Sequence, residues 1–493
     1  MRIPIPILSG VLALAGAAAA AAADPNPIVR ENRRPGTTDW LLTKVDTVLV
    51  EKNPLGENQP HYARSPKIEG YASAPSYRAG ESVQLHLSAS PATEVTVDIY
   101  RMGYYGGKGG RLVRTLERVA VTPQATPEDG ERNLRECQWP VTAEFELPAD
   151  WLSGVYLAKL TRAADGFQAY VIFIVKDTRR ADFNFQCSVT TWQAYNRWPA
   201  WRSLYDFQGR LWNTSGGDIV SFDRPYGFFY NLLPSAANAL TNGSGEFLLW
   251  EHPLAFWMEE QGYDVTYTTN VDTHAEGGGL LRAKAFLSVG HDEYWTHQMY
   301  ENVSRARDAG VNLLFLSGNA VDGGIFLTTS TDGRPNRIMG RTHWFAGEER
   351  KLMGATSYGT GLGDWVVTKP GHWLYAGTGL KRGDAIKDLI GWEFHGPPLR
   401  EDPTLEVVAE ASFTNRKWKP EKETHAATFY AGPKGNFVFN AGTCWWSMPL
   451  ARPPGARNPP DADFSQTDAR VQQMTRNLFE RVLKSPAPRR GKS

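Results

Sequence analysis

Between residues 65 and 177 the chain alternates apolar and polar positions in short runs. They are "SVQLHLSAS", "EVTVDIYRMG", "GRLVRTLERV", "TAEFELP", "GVYLAKLTR" and "AYVIFIVKD", each bounded by Gly, Pro, Asp or Asn. A period of two over five to ten residues predicts strands with one face buried, and strands at this spacing predict a β-sandwich of immunoglobulin type. The expected core is Val83, Leu85, Leu87, Val97, Ile99, Val155, Leu157, Leu160, Val171, Ile172 and Ile174. Tyr104 and Tyr105 in "RMGYYGGKGGR" fall in a Gly-rich hairpin turn, with a binding lip as the alternative.

After Lys176 the period changes. "HPLAFWMEEQGYDVTYTT" predicts an amphipathic helix stopped at Gly262 and followed by a strand. "RAKAFLSVG" is a second strand, "WTHQMYENVSRARDAG" a helix closed by Gly310, and "VNLLFLSGN" a third strand. Near-continuous apolar strands alternating with helices predict a parallel sheet covered on both faces. Ligands gather beyond the carboxyl ends of such strands, where "GHDEYW" and "SGNAVDGG" fall. From about Gly359 the pattern is mixed, with strands "HAATFYAG" and "GNFVFNAGT" and a last helix "ARVQQMTRNLFERVL". The expected organisation is an α+β multidomain chain. A leader covers 1–23, an extended lead-in 24–64, the sandwich 65–177, the α/β domain 178–485 and a basic tail 486–493.

The leader is read from Arg2, the Ala-rich apolar run Ile3 to Ala23 and the Ala-Ala-Ala before Asp24. Cleavage near Ala23 predicts an exported protein, periplasmic or extracellular, with a retained anchor as the alternative. No later run is long and apolar enough for stable membrane insertion. Lys plus Arg and Asp plus Glu both number 53, so no electrostatic footprint for nucleic acid is present. Cys137, Cys187 and Cys444 are far apart, and their odd count leaves a thiol unpaired in the monomer. Cys-x-x-Cys, His-Glu-x-x-His and Gly-x-Ser-x-Gly are all missing, which disfavours thiolate zinc sites, the commonest metalloprotease and a serine esterase.

The densest chemistry is His291-Asp292-Glu293-Tyr294-Trp295, with His297 just beyond. Two carboxylates, an imidazole and a phenol meet where a buried strand gives way to a helix. Helix capping accounts for one acid but not for the whole cluster. Arg224 in "FDRPY" either pairs with an acid of the site or makes a structural bridge. Asn319 either reaches a ligand or closes a turn. Trp192, Tyr195 and Trp198 either stack on a substrate or seal the seam between the domains; with 17 Trp in the chain, packing is the default.

The run "TTWQAYNRW…SLYDF", "SFDRPY", "GYDVTYTTNVD", "SVGHDEYWT", "GVNLLFLSGNAV", "HWLYAGTGL" and "FNAGTCWWS" resembles the N,N-dimethylformamidase large-subunit-like family over nearly all of the mature chain. The resemblance implies an α/β domain related in shape to class I glutamine amidotransferases, yet no cysteine here sits in a nucleophile elbow. It implies instead a mononuclear iron held by two tyrosines and a glutamate, and a separate small subunit as partner. Tyr294 matches one tyrosine; the second has no assigned position, and Glu393 in "IGWEFHG" is preferred over Glu349 as the carboxylate. A phenol with a pKa of about 10 becomes a ligand at neutral pH only beside a strong Lewis acid, and ferric iron suits a hard oxygen set. His291 or His252 would protonate a leaving amine. The implied function is metal-assisted hydrolysis of amide C–N bonds of a small molecule. Its candidate catalytic groups are His291, Asp292, Glu293 and His252, with Arg224, Asn319 and Trp192 on the substrate. The competing function is a non-catalytic exported binding protein for glycans or cell-surface material.

Overall fold

The computed structural model describes residues 26–46, 64–200, 202–205, 218–227, 240–343, 345, 347–357, 359–414, 422–459 and 462–488. The leader, most of the lead-in and the end of the tail lie outside the described residues. The fold is mixed α+β, dominated by several sheets.

Two sheets share the first core. Strands Ile68–Ala72, Ser82–Ala89 and Ala143–Glu146 form a three-stranded antiparallel sheet. A five-stranded sheet runs in the order Ser76–Tyr77, Gln168–Val175, Gly154–Arg162, Thr93–Met102, Gly110–Val121. Val83, Leu85, Leu87, Val97, Ile99, Leu160 and Val171 meet between the sheets. The other expected core residues, Val155, Leu157, Ile172 and Ile174, are equally buried but belong to a second, larger core that runs on into the rest of the chain. Side chains alternate along a strand, so a strand buried at every position serves two cores at once. Gln168–Val175 is such a strand, buried throughout.

The Gly-rich turn is drawn inward. The Tyr105 hydroxyl donates to Glu31 at 2.8 Å and accepts from Arg101 at 3.0 Å, and the Tyr104 ring packs on Phe256. Arg101, fully buried, makes a bidentate pair with Glu259 at 2.8 and 3.0 Å, joining strand Thr93–Met102 to helix His252–Glu260. Glu259 also accepts from Asn32 and Tyr267, and Arg101 donates to the Ser153 and Met102 carbonyls. Glu259 and both terminal nitrogens of Arg101 are therefore satisfied by hydrogen bonds, while Arg101 Nε is buried without one.

A seven-stranded sheet carries the remaining architecture. Its order is Val265–Thr269, Ala181–Cys187, Ala283–His291, Asn312–Gly318, Phe437–Asn440, Lys422–Ala431, Glu406–Thr414. The first five strands are parallel; Lys422–Ala431 pairs antiparallel with the fifth, and Glu406–Thr414 pairs antiparallel with it in turn. Phe286, Leu313, Phe315 and Val438 face the helix His297–Asp308, through Met299, Val303 and Ala306. Leu287, Val289, Leu314, Leu316 and Phe439 face the larger core with helices His252–Glu260 and Ala469–Lys484. Covered on both faces, the sheet exposes its chemistry only at its strand ends. No helix among the described residues is long and apolar enough to cross a membrane.

A fully buried ion pair and a shared core thus help tie the sandwich to the larger sheet. Arg101→Met is expected to destabilise the protein by about 3–5 kcal/mol, because it strands the Glu259 charge. Adding Glu259→Leu should recover most of that loss. Calorimetry of the parent should give one cooperative transition rather than two.

Candidate functional site

Strand Ala283–His291 delivers the cluster. At its end Gly290 adopts φ 67°, and a Cβ there would stand 2.4 Å from the Trp250 Cβ, so the turn requires glycine. Asp292 is the anchor: its carboxylate accepts from Gln186 and Asn270, both at 2.8 Å. Its neighbours His291 and Glu293 are thereby set in one buried pocket. The Tyr294 main chain is clamped by Thr190, which donates to its carbonyl at 2.7 Å, and by Thr191, which accepts from its amide at 3.2 Å. Both threonines lie on helix Val189–Tyr195, whose last residue turns into the same pocket.

Three side chains meet on the Glu293 carboxylate. The Tyr195 hydroxyl donates to Oε2 at 2.6 Å and the Tyr205 hydroxyl to Oε1 at 3.0 Å, while the two hydroxyls lie 2.9 Å apart. His291 Nε2 stands 3.2 Å from Glu293 Oε2 and 2.8 Å from Glu393 Oε2, between the two acids. These are ion-pair distances without the alignment of a full hydrogen bond. Tyr294 is one step removed: its hydroxyl bonds that of Tyr205 and accepts from Arg341 Nη2 at 2.6 Å. The Arg341 guanidinium also lies over the Tyr205 ring, 4.2 Å from its centroid. Trp392 closes one side, edge-on to His291 at 4.9 Å and stacked on Trp250 at 6.1 Å.

The electrostatics follow from burial against these partners. Burial works to raise the Glu293 carboxyl, but His291, Tyr195 and Arg341 outweigh it and hold the group below the usual range. Burial raises the Glu393 carboxyl, with His291 opposing. Burial would also strip the His291 proton, yet the charges of Glu393 and Glu293 win and raise its pKa. Glu246, 3.9 Å from His291 Nδ1, is pushed up to about 7, chiefly by burial. The phenols of Tyr195, Tyr205 and Tyr294 all go well up, through burial and then the negative Glu293. His291, Glu293 and Glu393 each offer a ligand atom, all within 4.8 Å of one another, and could hold a metal ion.

Glu393 is oriented from the neighbouring strand end. After strand Asn312–Gly318, Asn319 and Val321 take φ of 51° and 59°. Positive φ is costly for a β-branched residue, so this turn is held by its surroundings. Asn319 Nδ2 donates to Glu393 Oε2 at 3.0 Å, and the next amide, Ala320 N, donates to His395 Nε2 at 2.9 Å. His395 Nδ1 lies 2.6 Å from Asn440 Oδ1. With Nε2 accepting, His395 is the neutral Nδ1–H tautomer, and burial brings its pKa down to about 4.

Other expected site residues lie elsewhere. His252 packs its ring between Trp40 and Phe247, outside the acid–phenol cluster; burial brings its pKa down to about 3. Arg224 donates to Gln193 Oε1 and to the carbonyls of Gln193, Asn196, Trp198 and Arg202, bracing the loop between Tyr195 and Tyr205. Trp192 donates to Glu251 at 2.9 Å, and Trp198 to Glu69 at 2.8 Å, sealing the seam to the sandwich. Trp295 is core, the His297 ring meets Phe345, and Glu349 accepts from the Gly347 amide. All three cysteines are buried and free.

Sequence reasoning missed Tyr205, Arg341, Glu246 and His395 and gave Tyr195 only a stacking role. Tyr195 and Tyr205 both sit in the "TTWQAYNRW…SLYDF" run, so a signal existed for them. Arg341, at the end of strand Ile338–Arg341, had none.

A family model described as N,N-dimethylformamidase beta subunit-like, C-terminal, matches residues 96–461. The chain belongs to this family, which is consistent with a dimethylformamidase-like hydrolase. No curated protein matches it.

His395 gives a testable pH dependence. Its folded pKa of about 4 lies below the ordinary 6.5, so the unfolded chain binds the extra proton between those values. Stability is therefore lost as pH falls from about 6.5 towards 4, by up to about 1.4 kcal/mol per pH unit for this group. His395→Gln, whose amide can still accept from Ala320 N, is expected to fold and to flatten that slope. Urea unfolding at pH 7 and 5 measures it; an unchanged slope would refute the assigned neutral state.

Proposed function

We propose that this protein hydrolyses the amide C–N bond of a small substrate, with a hard metal ion held by the oxygens of Tyr195, Tyr205 and Glu293. The observation that carries the reading is the convergence of two phenols on one carboxylate, at 2.6 and 3.0 Å, in a wholly buried pocket. The donor set suits such an ion: all its atoms are oxygens, and two tyrosines with one glutamate is the iron set the family resemblance implies. Tyr294 then acts from outside the set, passing the influence of Arg341 to Tyr205 through its hydroxyl. Glu393 remains beside the set rather than in it.

Such an ion would act as a Lewis acid on the carbonyl oxygen, stabilising the negative charge that develops there. The protein's own groups do the rest. Glu393 Oε2, fixed by Asn319, is placed to take a proton from the attacking water. Its partner His291 Nε2, 2.8 Å away, is placed to hand a proton to the departing amine nitrogen. Trp392 and Trp250 wall the pocket, and excluding water strengthens each of these charge interactions.

The proposal extends to the cell. The Ala-rich leader would direct export, and the beta-subunit-like description of the matching family supports a small partner subunit. The two-sheet N-terminal part is read as immunoglobulin-like, and the seven-stranded part as related in shape to the amidotransferases.

Substitution separates ligands from neighbours. Tyr195→Phe and Tyr205→Phe are each expected to lose bound iron, the visible phenolate-to-metal band and activity on dimethylformamide or a related small amide. Tyr294→Phe should keep the metal and shift the band. Glu393→Gln and His291→Asn should keep metal and band while activity falls at least ~100-fold. Full metal content in Tyr195→Phe and Tyr205→Phe, measured by elemental analysis, would end this reading.

A further inference from the structure

A cavity of about 220 Å³ lies between the lead-in, the Phe247–Glu251 turn and the loop after Met448. Its walls include Trp40, Leu41, Leu248, Trp250, His252 and Met448, and none of the acids or phenols of the site above borders it. The lead-in wall is fixed: the Tyr170 hydroxyl donates to the Trp40 carbonyl at 2.7 Å and accepts from the Leu42 amide at 3.1 Å, and the Trp40 indole donates to the Lys108 carbonyl at 3.0 Å. The space is therefore built into the fold and does not depend on a side chain swinging away.

One polar group at this apolar wall is unsatisfied. Helix His252–Glu260 begins at His252, whose ring is surrounded by Trp40, Phe247 and Phe256. Its imidazole makes no hydrogen bond among the described residues, and its Nε2 is buried without a partner. With burial bringing its pKa down to about 3, the ring is neutral, able to donate from one nitrogen and accept at the other. A buried polar group left unpaired is costly and rare in a native protein, and calls for a partner. An apolar cavity of roughly 150 Å³ already accommodates benzene, so this one has room for a bicyclic aromatic of about ten heavy atoms.

We propose that this cavity is a binding site for a small, neutral, largely apolar molecule carrying one hydrogen-bonding group, which the His252 imidazole recognises. The site is separate from the proposed reaction and does not depend on it. Aromatic walls supply contact area, Leu248 and Met448 supply shape, and the imidazole selects for the polar group. A cationic ligand is excluded, because neither the neutral imidazole nor Arg457, which also borders the cavity, repays the loss of its hydration.

Indole and indene test the idea on the unaltered protein, since they share a shape and differ in one N–H. Calorimetric titration is expected to give one indole per chain, and indene binding at least ~5-fold weaker. His252→Phe should remove the difference between the two probes. Leu248→Trp, which fills the space, should abolish binding of both while the thermal transition stays cooperative. If that variant fails to fold, Leu41→Trp, from the lead-in side, serves the same purpose. Absence of indole binding, equal affinity of the two probes for the parent, or indole binding that survives the filled cavity would each overturn the proposal.

Discussion

A carboxylate buried as deeply as Glu293 stays charged only where its surroundings supply nearly everything that water would. Desolvation alone would push such a group toward its neutral acid. Here two phenols donate to its two oxygens, His291 stands beside one of them and Arg341 adds positive charge from behind the phenols. Remove these partners and desolvation drives the carboxylate towards its neutral acid. The geometry of the site is thus, in large part, the geometry required to keep one charge in a dry place.

Meeting that requirement explains why such distant segments converge. Glu293 and His291 come from the end of one parallel strand, Asn319 from the end of the next, and Glu393 from a two-residue strand packed against them. The phenols come from helix Val189–Tyr195 and the loop after it, a segment that Arg224 fastens through bonds to four main-chain carbonyls. Arg224 thereby acts on the site at one remove, by holding Tyr195 and Tyr205 in register. Parallel strands end on one side of a sheet, so residues far apart in sequence reach one pocket without long connecting arms.

How far this was legible in the sequence follows from which signals are local. Strand Gly154–Arg162, helix His297–Asp308 and the stops at Gly262 and Gly310 carry their own period or punctuation, and the folded chain has all of them. Strand Ala181–Cys187 carries neither. Its Asn184 and Gln186 break the apolar run, and they are tolerated inside because Thr268 donates to the first and the second joins Thr273 and Asp292. The His-Asp-Glu-Tyr cluster was visible because four chemical groups follow one another. The roles within it were not, because they depend on partners as remote as Arg341. Nothing near His252 in the sequence distinguishes a general acid from a ring enclosed by Trp40 and Phe247.

Charge balance in the pocket narrows what could enter it. Glu293 is held towards its charged form and His291 and Arg341 towards their positive forms, while burial pushes Glu393 and Glu246 towards their neutral acids. With all three phenols neutral this set is already close to compensated. A multivalent cation added to it would leave an excess of positive charge in a medium that tolerates none. The groups that could absorb the excess are the phenols, by releasing their protons, and Tyr195 and Tyr205 are the two whose oxygens already touch Glu293. On the proposed reading, metal binding and phenol ionisation would be one event, in which neither partner would be stable in the pocket alone. That coupling would make a two-tyrosine, one-carboxylate set selective for a strong Lewis acid. A weakly charged ion would not offset the cost of two buried phenolates, and a softer one would gain little from their oxygens.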